Sequence, residues 1–290
     1  MILSATPFIP HTLTHLAQVR AFPSPLPEAA YEKMLAEYQA LEDVTVERIV
    51  YDSDGLKVTG LRALLAHSKP GPLLIYNRGG SREYGKLTLL SAMRSMVPFA
   101  RAGYRVFASN YRGNDGGEGA DEFGGGDVDD VLNLLEIARE DAGWDGKNAY
   151  MIGHSRGGMM TMMAIRRGAK LNAAIAIAGV SDAHRLATEA AMIERVLVPL
   201  IPGYAHDPKG ALSARSPIDW PQDIHVPVLL LHGDNDKDVS VEASIALQNA
   251  LAAAGKVSQL KIYQGGNHAL VRVWDEVLAD CFVWLERFRA

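Results

Sequence analysis

The chain is 290 residues long, with 48% hydrophobic residues, 22% charged residues and a net charge of −5. Such a length holds one large domain or two small ones, the composition excludes a mainly disordered chain, and the acidic balance leaves no electrostatic footprint for nucleic acid or an anionic lipid surface. A lone cysteine, Cys281, excludes an internal disulfide and a thiolate metal site, and no apolar run reaches the roughly 18–20 residues of a membrane span.

Met1–Pro10 is mildly apolar but has no basic start, so no signal peptide is read and a cytoplasmic protein is expected. Residues 1–43 read as an N-terminal appendage. Phe22–Pro27 is a proline-rich breaker. Glu28–Glu42 follows as a helix, with Tyr31, Met34, Leu35, Tyr38 and Leu41 at spacings of three and four. That stripe must be covered by the main domain or by a second copy of the chain, which would make a homodimer.

From Val44 to the C-terminus strands and helices alternate. Val44–Val50 and Leu56–Leu65 read as a hairpin turned by Asp52–Gly55. Strands are expected at Leu73–Asn77, Tyr104–Asn110, Asn148–Ile152, Ala173–Ala178, Val228–His232 and Gln259–Tyr263. Helices are expected at Lys86–Arg101, Asp127–Glu140, Arg156–Gly168, Ser240–Ala253 and Ala269–Phe288. This order predicts an α/β domain over 44–290, with a mostly parallel sheet and helices on both faces. The stretch 181–222 has no strand, carries an amphipathic segment Leu186–Val198 and is punctuated by prolines. It reads as a helical cap that roofs a pocket, with the N-terminal helix packed near it or on a partner chain.

The chemistry sits in Gly153-His154-Ser155-Arg156-Gly157-Gly158, a G-x-S-x-G pattern with a strand before it and a helix after it. A serine on so tight a turn needs glycines where neighbouring side chains would clash. The helix N-terminus beneath it favours developing negative charge. Serine needs a base. Of nine histidines, the chain order nucleophile, acid, histidine selects His268, in the loop Gln264–His268. The acid belongs to Gly233–Val239, where Asp236 has the favoured G-x-x-D-x-x-V spacing and Asp238 is the competitor; Asp238 or Ser240 is the alternative cap of the next helix. His154 and His232 read as packing or hydrogen-bonding histidines. Two oxyanion donors are expected: the Arg156 backbone N–H, and an N–H of Arg78 or Gly79 in Asn77–Ser81. Arg78, Arg82, Arg112 and Arg156 fall on loops bordering the site, where arginine suits carboxylate recognition, unless they pair with Glu83, Asp115 or Asp127. Arg82 and Arg112 are the substrate-binding candidates.

Gly153–Gly158, Asn77–Gly80, the Asp236 loop and His268 together resemble the α/β-hydrolase superfamily. Within it they are most similar to the catalytic domain of the prolyl oligopeptidase (S9) serine peptidases. Asn110-Tyr111-Arg112-Gly113 with Gly116–Gly119, and Ser216-Pro217-Ile218, resemble further segments of that family. The resemblance implies a serine hydrolase with an acyl-enzyme intermediate, acting without metal or cofactor on a short peptide, an acyl-amino acid or another small-molecule substrate. A small-ester carboxylesterase is the alternative. A non-catalytic binding protein on the same fold is a lesser one, as is a haloperoxidase or lyase, and no triad residue type is missing. Full-length members carry a large propeller before the catalytic domain. With 72 residues ahead of Leu73, none is expected here. Arg78 also stands where many relatives have an aromatic residue or histidine.

Overall fold

The computed structural model describes residues 1–9 and 28–290; the Phe22–Pro27 breaker lies outside them. The chain enters through β1 (Ile2–Pro7) and α1 (Glu28–Gln39). The hairpin β2 (Val44–Ser53) and β3 (Leu56–Leu65) turns at Asp54 and Gly55, both at positive φ, as a two-residue turn matched to strand twist requires. Then come β4 (Gly71–Asn77), α2 (Leu89–Ser95), α3 (Val97–Arg101), β5 (Arg105–Ser109), α4 (Asp127–Arg139), β6 (Trp144–His154), α5 (Arg156–Arg166) and β7 (Ala173–Ile177). After the insertion follow β8 (Val228–Gly233), α6 (Val241–Ala253), β9 (Ser258–Tyr263) and α7 (Trp274–Arg287).

The strands form one nine-stranded sheet in the order β1-β2-β3-β5-β4-β6-β7-β8-β9. The first three pairings are antiparallel and those from β5 to β9 are parallel. The chain moves from β4 to β5 on one side and then returns to β6 on the other. The order therefore reverses at β4, and such a switch point opens a crevice beyond the carboxyl ends of the strands. Asn77 and Gly153 are register partners there, so the loops after β4 and β6 leave the sheet side by side.

Alternation in the buried strand β4 divides the core. Leu73 and Ile75 join the face covered by α4, α5 and α6, while Leu74 and Tyr76 join the face covered by α2, α3 and α7. The insertion contributes Leu197, Leu200, Ile201, Tyr204 and Leu212 to the first face. Each fully buried Leu, Ile or Met contributes about 1.5–3 kcal/mol.

Three local departures from the sequence reading have physical causes. The helix expected at Lys86–Arg101 is broken at Met96, because Pro98 has no N–H to continue the first segment. Leu186–Val198 is a short 3-10 turn followed by a helical run over 190–200 with a wider π turn at Ile193–Leu197. Ile2–Pro7, assigned to the appendage, is the antiparallel edge strand of the main sheet. Tyr38 of α1 donates to the Phe8 carbonyl at 2.7 Å and meets the Phe8 ring edge-on. Tyr38 and Leu41 pack on the second face, on the side of the sheet opposite the insertion, so the helix does not sit beside the expected cap. No helix among the described residues is long and apolar enough to cross a membrane.

Candidate active site

Ser155 stands between the last residue of β6 and the first turn of α5 with φ 55° and ψ −123°. A residue with a Cβ in that region is strained by about 1–3 kcal/mol, so its surroundings must hold it there. Its N–H donates to the Ile177 carbonyl at 2.9 Å, and its carbonyl receives Gly158 N at 2.9 Å and Val180 N at 3.2 Å. The turn closes only because two side chains are missing. A Cβ on Gly153 would lie 2.0 Å from the Gly157 carbonyl oxygen, and one on Gly157 would lie 1.9 Å from that of Asn77. The glycines read from the motif are sterically obligatory.

The loop after β4 crosses directly over this turn. A Cβ on Gly79 would sit 3.0 Å from Ser155 Cβ, so the Gly79 backbone runs against the serine, as an oxyanion donor segment must. Arg78 holds the loop in shape from inside. Its side chain is buried, and its guanidinium donates to the carbonyls of Asn110, Gly79, Tyr84 and Arg82 at 2.8–3.1 Å. Burial, then the neighbouring Arg156, pushes its pKa down to about 10.

Asp236 and His268 meet across the ends of β8 and β9. Gly233 and Gly266 pack backbone to backbone, which brings the two loops together. His268 Nδ1 is 2.8 Å from Asp236 Oδ2, and the carboxylate is fully enclosed while the ring is 18% exposed on its side chain. Asp236 Oδ1 accepts the backbone N–H groups of Asp238 and Val239, each at 2.9 Å. His232 adds a second ring to Oδ2 at 3.0 Å. Burial opposes the charge of Asp236, but the donors from His232 and His268 outweigh it and hold the carboxyl well below the usual range. Asp238 is exposed and reaches Asp236 through its backbone only. Ser240 is at the N-terminal cap position of α6, without a capping side-chain bond. Asp236, Asp238 and His268 are the only set among the described residues that brings three potential metal-ligand atoms within 4.8 Å. Both Asp236 oxygens in that set are already taken by hydrogen-bond donors.

His154, next to the serine, sets its ring 4.9 Å from that of His268 and its Nε2 2.9 Å from the His268 carbonyl. A carbonyl only accepts, so Nε2 carries the proton. Burial, then the charge of His268, pushes its pKa down to about 3. Arg94 donates to the carbonyl of Ala269 and stacks 3.9 Å over Trp274, bracing the loop from the other side.

The bordering arginines are mostly engaged within the chain. Arg156 donates to Asp121 at 2.9 Å, to the Gly80 carbonyl at 3.0 Å and to Asp127. Arg112, expected to touch substrate, instead spends its guanidinium on Asp130 at 2.8 and 3.1 Å and on Asp54 at 3.5 Å. Arg82 alone of the four has no side-chain hydrogen bond or ion pair among the described residues.

The model of the prolyl oligopeptidase family matches residues 91–288. The chain belongs to that family. It is thereby a serine hydrolase on the α/β-hydrolase fold. An uncharacterized peptidase of Bacillus subtilis (strain 168), YtmA, is 31% identical over 228 residues, covering 78% of this chain and 87% of the relative. YuxL of the same organism, also an uncharacterized peptidase, is 28% identical over 247 residues, but this chain spans only 36% of it. Among solved structures, Pyrococcus horikoshii acylaminoacyl peptidase superposes with a TM-score of 0.67 at 20% identity over 80% of this chain and 39% of its own. A Mycobacterium tuberculosis puromycin-hydrolyzing peptidase gives 0.66 at 23% identity over 88% of this chain and 40% of its own.

Proposed function

We propose that this prolyl oligopeptidase family member hydrolyses short peptides or acyl-amino acids through an acyl-enzyme on Ser155. His268 takes the Ser155 proton as Oγ attacks the carbonyl carbon. Asp236 holds the ring so that Nε2 faces the reaction and steadies the imidazolium that forms. The N–H of Arg156 and that of Gly79 or Arg78 receive the oxyanion. His268 then gives its proton to the leaving amine, and a water deprotonated by the same ring releases the acid. The name of YtmA as a peptidase favours an amide bond over an ester.

The observation that carries the reading is the enclosed Asp236–His268 pair at 2.8 Å together with a strained Ser155 packed against Gly79. The test is labelling with a fluorophosphonate, followed by a matched panel of aminoacyl p-nitroanilides and p-nitrophenyl esters. The expected result is labelling of the wild type, none of Ser155→Ala, and turnover of the anilides. Labelling that survives Ser155→Ala overturns the nucleophile. Turnover of esters alone moves the reading to a carboxylesterase.

A further inference from the structure

The carboxylate of Asp236 is shared by two imidazoles, and only one belongs to the expected triad. His232 is completely buried in β8, with Nε2 3.0 Å from Asp236 Oδ2 and 3.0 Å from the Val239 carbonyl. Both neighbours only accept, so Nε2 carries a proton. Its Nδ1 lies 2.8 Å from the hydroxyl of Ser244, itself buried in α6. The same oxygen, Oδ2, also accepts from His268. Two backbone N–H groups occupy Oδ1. Four donors thus fix a carboxylate that has no contact with solvent.

We infer that His232, set by Ser244, is a positioning residue that fixes Asp236 and tempers its pull on His268. This rests on the triad proposed above. The argument is one of competition for a single oxygen. While His232 donates to Oδ2, part of that oxygen's charge is satisfied away from His268. Without His232, Oδ2 turns its full charge on the His268 ring and favours the imidazolium. At the same time the carboxylate loses one of the contacts that define its rotamer. Ser244 acts in the same sense at one remove: its hydroxyl donates to Nδ1, which strengthens Nε2–H as a donor. The titratable groups about the ring are Asp236, His268 beyond it, and Glu242 in the first turn of α6.

The experiment is the pH profile of kcat/KM, with fluorophosphonate labelling, for the wild type, His232→Phe, His232→Gln and Ser244→Ala. His232→Phe is expected to lower kcat about tenfold and move the acid limb about half a unit to higher pH. His232→Gln, which keeps an N–H aimed at Oδ2, recovers most of both. Ser244→Ala shifts the limb in the same direction by less, and decides the matter if His232→Phe does not fold. An acid limb that stays at the wild-type position overturns the inference, whether activity is kept or lost, because a merely structural role moves amplitude alone. If the wild type itself is not labelled, the triad reading falls and this inference falls with it.

Discussion

Replacing Arg156 by methionine removes a cation and keeps an unbranched apolar stem in its place. The guanidinium lies between Asp121 and Asp127, with side-chain exposures of 2%, 2% and 0%, and stacks 5.0 Å from the Tyr111 ring and 4.8 Å from that of Phe123. Two buried carboxylates would then lose the cation they share and keep backbone donors, Arg82 and Phe123 N–H to Asp121 and Gly124 N–H to Asp127. Breaking a buried pair from one side costs about 3–5 kcal/mol. A chain of 290 residues has an unfolding entropy of about 0.6 kcal/mol/K, so the melting temperature should fall by about 5–8 °C at pH 7.5. The pH dependence separates this cause from lost packing. In the wild type, burial opposes the Asp121 charge, but Arg156 wins and holds that carboxyl below its ordinary value. Its stabilisation is present above the unfolded pKa and disappears as pH falls through the folded one. Burial raises Asp127 even with Arg156 beside it. In Arg156→Met both carboxyls are raised, so each takes up a proton on the way down from neutral pH and the penalty shrinks. Calorimetry at pH 7.5 and pH 5 should therefore show a smaller gap between variant and wild type at pH 5. A fall under about 2 °C, or a gap as large at pH 5 as at pH 7.5, refutes the reasoning.

Asp236→Asn should lower kcat about 10⁴-fold while Asp238→Asn leaves it within about twofold; steady-state kinetics showing the reverse order would move the acid to Asp238. Gly157→Ala should lose more than about 3 kcal/mol and all labelling, since its Cβ would lie 1.9 Å from the Asn77 carbonyl oxygen; a wild-type melting temperature contradicts this. His154 is held neutral with its pKa near 3, so the folded state binds fewer protons than the unfolded one below about pH 6.5, and stability is lost as pH falls from there toward 3. Chemical denaturation should find wild type losing at most about 2 kcal/mol more than His154→Gln between pH 7.5 and 5, and parallel curves would exclude it.

The elbow was legible because everything that makes it is local: strand, Gly153, Ser155, Gly157 and helix are contiguous, and steric exclusion acts between neighbours. Chain order alone selected His268, the histidine that the fold sets 2.8 Å from Asp236. Spacing weighted the choice between Asp236 and Asp238; the geometry that favours Asp236, backbone N–H groups of Asp238 and Val239 pointing at its carboxylate, is one that no pattern records. The arginines were legible only in part, Asp127 being among the alternative partners read, and for a related reason. Arg156 finds Asp121 and Asp127 at separations of 35 and 29 residues, and Arg112 finds Asp130 at 18, so their partners depend on how loops meet across the sheet. β1 was illegible because it is an edge strand with five of its six residues exposed, leaving no buried alternation to betray it. His232 looked like a core histidine, and it is one; its bond to Asp236 is visible only once β8 and the loop after it are folded.

With three of the four bordering arginines committed inside the chain, Arg82 is the one of the four left to favour anionic substrates. Its backbone is held on both sides: the N–H donates to Asp121 at 2.8 Å and the carbonyl accepts from Arg78 at 2.9 Å, at a φ of 51°. Its side chain makes no hydrogen bond or ion pair among the described residues, three residues beyond Gly79, on the loop that runs against Ser155. A fixed root with an uncommitted guanidinium loses little order on binding a carboxylate, and a contact of that kind at an exposed position is worth about 1 kcal/mol, or fivefold. Arg82→Gln should therefore reduce kcat/KM about fivefold for an anionic member of a matched acyl series and leave its neutral partner unchanged. The wild-type preference should also weaken as salt is raised, because an exposed charge contact is screened. Equal loss for both substrates would mean that Arg82 shapes the loop and does not read charge. An unchanged ratio in the variant would leave the site without any arginine-based recognition of anions.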